Sequence, residues 1–288
     1  MKYLKLIPVI FILITANAWS QQSGDAFEEL MHISRGGQLY DNWWQTTVDT
    51  QKPDTDHPLW SEQNTNKRAG YATFRCKECH GWDYQGKDGA YGKGSHATGF
   101  PGIENAAMNL SIKQLEASLK GETNRLHDFS TYLAANDIAD LALFMKKGLV
   151  DTTKFVNEGG VVQGGDTRAG SRIFKRTCAQ SCHGAAGTAI NFGDADDPEF
   201  VGTIAVDNPW EFIHKVRNGQ PGTRMPSATI DQWSDKTILD LLSFAQTLPK
   251  DKSEVGLWQR FWGGKHHQGM MHRNNGLNSG RGFGPSIE

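Results

Sequence analysis

The chain has 288 residues, with 30 lysines and arginines against 32 aspartates and glutamates, a net charge of −2 with histidine neutral, and four cysteines. That length accommodates two domains of ordinary size. The basic residues are scattered rather than gathered into a stripe, which argues against a nucleic-acid surface.

The first residues, Met1-Lys2-Tyr3-Leu4-Lys5, are followed by an apolar run from Leu6 to Ile14 and by small residues at Ala16, Ala18 and Ser20. A basic start, an apolar stretch too short to cross a bilayer and a small-residue cleavage site predict a signal peptide over 1–20. Cleavage after Ala18 or Ser20 both fit, and Ser20 is preferred. The expected product is exported to the periplasm without a transmembrane span, and loss of Lys2 and Lys5 takes its net charge to −4. Residues 21–65 read as an aromatic-rich N-terminal extension in which Trp43, Trp44 and Trp60 pack on the unit that follows.

Cys76-Lys77-Glu78-Cys79-His80 has the C-x-x-C-H spacing of covalent haem attachment. On a helix its three reactive groups share one face, so two thiols and a proximal imidazole address the same side of a flat macrocycle. A redox dithiol needs no trailing histidine, and a zinc site would have to join cysteine pairs about a hundred residues apart. A loop from Gly81 to Gly102 carries seven glycines, whose close-approaching backbone suits wrapping a haem edge. Ser111 and Gln114 form a capping box for a helix running to Lys120, which stops at Gly121. Six residues further lies His127, a candidate distal iron ligand, with Met108, His96 and Met145 as alternatives. An amphipathic helix through Asp140–Phe144 closes the unit, and 151–165 reads as a linker.

The second half repeats this order. Cys178-Ala179-Gln180-Ser181-Cys182-His183 is a C-x-x-x-C-H run, whose i, i+4 and i+5 spacing requires a slightly unwound turn. Asn208, Pro209 and Glu211 start a helix that runs to Asn218 and stops at Gly219. Met225 lies six residues on, and Asp240–Phe244 matches Asp140–Phe144. Arg68-Ala69-Gly70 before the first motif aligns with Arg168-Ala169-Gly170 before the second. The tail from 251 carries Trp258, Phe261 and Trp262, then a His- and Met-rich run over 265–272, for which copper binding is the less favoured reading.

Each unit resembles a class I cytochrome c domain over about 66–150 and 166–250, and Arg224-Met225-Pro226 is similar to that family's Met-Pro loop. The pair resembles periplasmic dihaem c-type cytochromes. The resemblance implies an all-α fold of two tandem cytochrome c-like domains with terminal extensions, and two haem c groups. They would be held by Cys76, Cys79, Cys178 and Cys182, with His80, His127, His183 and Met225 on the irons. A thioether ligand raises haem potential relative to a second imidazole, so electrons are expected to run from the first haem to the second, between redox partner proteins. The chain reads as a carrier or a cytochrome subunit rather than a stand-alone enzyme. An oxidoreductase acting on a sulfur oxyanion or peroxide is the alternative.

Overall fold

The computed structural model describes residues 7–47 and 50–262, the first of these, 7–23, as backbone alone. The expected leader falls partly on residues 1–6, outside the described residues, as does the His- and Met-rich run at 265–272. No described helix is long and apolar enough to cross a membrane. The fold is all-α, with no β-strand among the described residues.

The described residues form ten α-helices in chain order: α1 Ile7–Thr46, α2 Cys76–His80, α3 Glu104–Asn109, α4 Ile112–Leu119, α5 Ala135–Lys147, α6 Thr167–Ile173, α7 Val201–Asp207, α8 Pro209–Asn218, α9 Asp235–Ala245 and α10 Val255–Trp262. A π-helix, Phe174–His183, continues α6. Several ends follow local chemistry. The Ser111 hydroxyl accepts the Gln114 backbone N–H while the Gln114 side chain accepts the Ser111 N–H, a complete capping box for α4. Asn208 caps α8, whose first residue is Pro209. Gly121 and Gly219 end α4 and α8 at φ +73° and +82°, a region costly for any residue with a Cβ.

The two halves share a helix pairing: α1 packs along α5 as α6 packs along α9. Gly36 meets the Asp140 carbonyl where a Cβ would point, and Gly170 meets the Asp240 carbonyl. Four residues on, Tyr40 packs on Phe144 (centroids 5.7 Å) and Phe174 on Phe244 (5.5 Å). Gly36 is therefore the counterpart of Gly170. The Arg68-Ala69-Gly70 match is a correction to the expected register: a Cβ on Gly70 would meet nothing within 4 Å, and Gly70 opens a short 3₁₀ turn, Gly70–Phe74. The helix preceding the first Cys-His motif lies within the segment expected to be an extension. About thirty residues, with 3₁₀ turns at Pro58–Glu62 and Gly70–Phe74, separate it from the motif.

Trp43, Trp44 and Trp60 are buried, as expected of packing residues. Trp43 donates its indole N–H to the Phe74 carbonyl and Trp60 to that of Arg68. The stretch 151–165 is also packed: Phe155 is fully buried, and Val156 bridges Val162. A single apolar core runs through both halves.

Candidate functional site

Cys76, Cys79 and His80 lie on α2, one turn of helix ended by Gly81, whose N–H returns to the Lys77 carbonyl. Burial pushes the thiols of Cys76 and Cys79 up to about 12. They are neutral at physiological pH, unlike the depressed-pKa thiolate of a redox dithiol. The His80 Nδ1–H donates to the Pro101 carbonyl (2.7 Å), which leaves Nε2 with its lone pair. Burial, and His127 nearby, lower the His80 pKa to about 4, so the ring is neutral.

His127 faces His80 across a cavity lined also by Cys79, His57, Phe100 and Phe129. Its Nδ1–H donates to the Ser118 carbonyl (3.2 Å), which again leaves Nε2 free, and burial lowers its pKa. The two ring centroids are 6.2 Å apart with planes at 78°. At that separation both Nε2 atoms could reach one metal ion placed between the rings. Carbonyl acceptors at both Nδ1 positions fix tautomer and orientation. Thiols, facing imidazoles and aromatic walls fit a haem.

His57, which sequence reading left unassigned, lines the same cavity. Its ring stacks on Phe129 (5.4 Å) and lies 6.2 Å from His127. Its Nδ1 accepts the Leu59 backbone N–H (3.2 Å), which places the ring hydrogen on Nε2. Tautomer thus separates His57, an N–H donor, from His80 and His127, which present lone pairs. Of the alternatives to His127, Met108 is 68% exposed on α3 and Met145 is buried on α5. His96 stacks on Tyr91 (5.0 Å). None of the three lines the cavity.

In the second half the extra residue of the C-x-x-x-C-H run is taken up by the π-helix, whose wider turn returns positions i, i+4 and i+5 to one face. Gly184 ends it at φ +70°, with its N–H on the Ala179 carbonyl, as Gly81 ends α2. Burial raises the Cys178 thiol to about 12 and lowers His183. The ring of His183 packs by Phe192 (5.8 Å), and its Nδ1 is buried with no hydrogen-bond partner among the described residues. Met225 is half-buried against the core on the loop after α8. These residues suit haem attachment by type and by element.

The region around the first motif is charged and buried, which sequence reading did not foresee. Asp41 is fully buried between the Arg75 guanidinium and the Lys215 ammonium (2.5 Å), which hold its carboxyl well below the usual range despite desolvation. Lys77 and Glu78, between the motif cysteines, are buried and paired at 2.5 Å. Lys77 and Lys215 both lie over Trp82, at 5.2 and 5.4 Å from a ring centroid. His214 of α8 donates Nε2–H to the Gly37 carbonyl (2.9 Å) and accepts the Tyr84 hydroxyl at Nδ1 (2.8 Å). The glycine-rich loop after α2 therefore sets Trp82 and Tyr84 against the second half.

Residues 165–244 match the family model described as cytochrome C oxidase, cbb3-type, subunit III. The match supports a c-type cytochrome domain in this part of the chain, a class that binds haem covalently and passes electrons between redox partners. No curated protein and no solved structure matches the chain.

Proposed function

We propose that the protein is an exported dihaem cytochrome c that relays electrons between two partner proteins. The observation that carries this is the pairing of His80 with His127 across a cavity beside Cys79, in a half of the chain that the family match does not reach. The first unit then runs from α1 through α5 and the second over about 166–250. Cys76 and Cys79 hold the first haem between His80 and His127. Cys178 and Cys182 hold the second between His183 and Met225.

Haem supplies one-electron chemistry; the chain sets the relative potentials. Carbonyl acceptors on both Nδ1–H groups of the first site make those imidazoles more electron-rich and favour the ferric state. The second site pairs a thioether with an imidazole, and the thioether favours the ferrous state. The downhill direction is from the first haem to the second. The signal-like N-terminus supports export, since c-type haem is attached outside the bacterial inner membrane.

Haem counting on the matured protein tests the reading. Two covalent haems per chain are expected, falling to one in Cys76→Ser/Cys79→Ser and to one in Cys178→Ser/Cys182→Ser. A single haem in the parent protein would refute it.

A further inference from the structure

A helix leaves its last four carbonyls without intrahelical partners, and a buried helix end must find them elsewhere. At the end of α8 these are the carbonyls of Lys215, Val216, Arg217 and Asn218. Gly219 N–H donates to Lys215 O (2.8 Å) and Ala228 N–H to Val216 O (3.0 Å). Thr229 N–H (3.0 Å) and the Ser227 hydroxyl (2.7 Å) donate to Arg217 O. The donors to the first three belong to the loop that starts at Gly219 and carries Met225.

The fourth carbonyl is different. Asn218 is fully buried, and its carbonyl accepts Gln38 Nε2–H at 2.8 Å, from α1 in the other half of the chain. The Ser34 hydroxyl lies 3.0 Å from the same carbonyl and 2.9 Å from Ser227 Oγ, and donates to one of them. Between these two residues, Gly37 faces the Asn218 side chain with no room for a Cβ. A Cβ on Gly219 would lie 2.8 Å from the Met225 carbonyl and 3.2 Å from Gln38 Nε2, so the loop folds back on its own start directly under Gln38. At the far side of the loop, a Cβ on Gly222 would lie 3.1 Å from the Gln45 carbonyl, again on α1.

We propose that Ser34, Gly37 and Gln38 are positioning residues for Met225: helix α1 of the first unit completes the cap of α8 and fixes the loop that presents the distal ligand of the second haem. This rests on the reading of Met225 as an iron ligand. It makes the second site dependent on the docking of the two units, so losing the Gln38 and Ser34 contacts weakens methionine ligation while leaving the first haem untouched. The second unit alone lacks the donor that closes its own ligand loop.

The test uses full-length, haem-loaded protein carrying Gln38→Glu, which keeps the side-chain shape but removes the donor, and Ser34→Ala with Gln38→Glu. Tyr84→Phe serves as a control that disturbs the same interface away from the Asn218 carbonyl. Two readouts are taken: hydrogen exchange of the 219–227 amides, and the far-red methionine-to-ferric-iron absorption band. Exchange about tenfold faster in Gln38→Glu, with that band weakened and the first haem's spectrum unchanged, is the expected result. Unchanged exchange and an unchanged band in the double variant, or equal effects from Tyr84→Phe, would overturn the inference. Absence of the band from the parent protein would instead overturn Met225 as ligand, and the inference with it.

Discussion

His214 gives the interface between the halves a calculable response to acid. The ring is fully buried, and burial lowers its pKa to about 4, with Lys215 and Arg75 adding to the shift against the opposing Asp41 carboxylate and the Gly37 carbonyl. Both nitrogens are committed in the neutral form, since Tyr84 donates to Nδ1 and Gly37 accepts from Nε2. In the unfolded chain a histidine titrates near 6.5. Between those values the unfolded state binds the proton and the folded state does not, so stability rises with pH across that window. The contribution is complete above about pH 6.5, declines as pH falls, and levels off below about 4. A difference of about 2.5 pK units corresponds to about 3 kcal/mol. The assay is urea unfolding of parent and His214→Gln at pH 7, 6, 5 and 4.5. Glutamine offers a donor and an acceptor without titrating. The parent should lose about 2 kcal/mol more than the variant between pH 7 and about 5. Parallel pH curves would refute the assignment of His214 as a buried neutral hinge of the interface.

Other substitutions test other parts of the account. Gly36→Ala and Gly170→Ala each force a Cβ into a helix crossing and should each cost about 1–3 kcal/mol in thermal unfolding; a neutral Gly36→Ala would break the equivalence of the α1–α5 and α6–α9 pairs. Asp41→Asn strips the counter-charge from buried Arg75 and Lys215 and should destabilise by about 3–5 kcal/mol in urea, with a loss below 1 kcal/mol contradicting the burial of that cluster. His57→Phe keeps the stack on Phe129 but loses the acceptor for Leu59 N–H, so about 1 kcal/mol of stability should go while the first haem's low-spin spectrum persists. Disappearance of that spectrum would mean that His57, and not His127, ligates. His127→Ala should turn one haem high-spin and open it to cyanide, and no spectral change would remove His127 from the iron.

What the sequence disclosed divides along the range of the forces involved. The Ser111–Gln114 box, the Asn208 cap and the glycine stops at 121 and 219 are local arrangements, and each forms where its residues predict. The C-x-x-x-C-H spacing implied an unwound turn, and the π-helix supplies one. The first unit's opening helix was illegible because the segment between Tyr40 and Cys76 hides the link between Gly36 and the motif, while Arg68-Ala69-Gly70 offers a false match. Gly36 is diagnostic only once Asp140 is known to lie against it. The buried charges were not legible because Asp41 and Lys215 are far apart in the chain and neutralise one another only after the halves dock. His57 was passed over because its place in the cavity depends on the 3₁₀ turns around it.

The most direct test of the central claim is low-temperature electron paramagnetic resonance of the fully oxidised, matured protein. Two low-spin ferric signals are predicted. One should be strongly anisotropic, because imidazole planes held near 78° would leave the iron's two π-symmetry orbitals nearly degenerate; the other should be the His/Met centre. A high-spin signal from either haem, or a single haem in all, would contradict the relay.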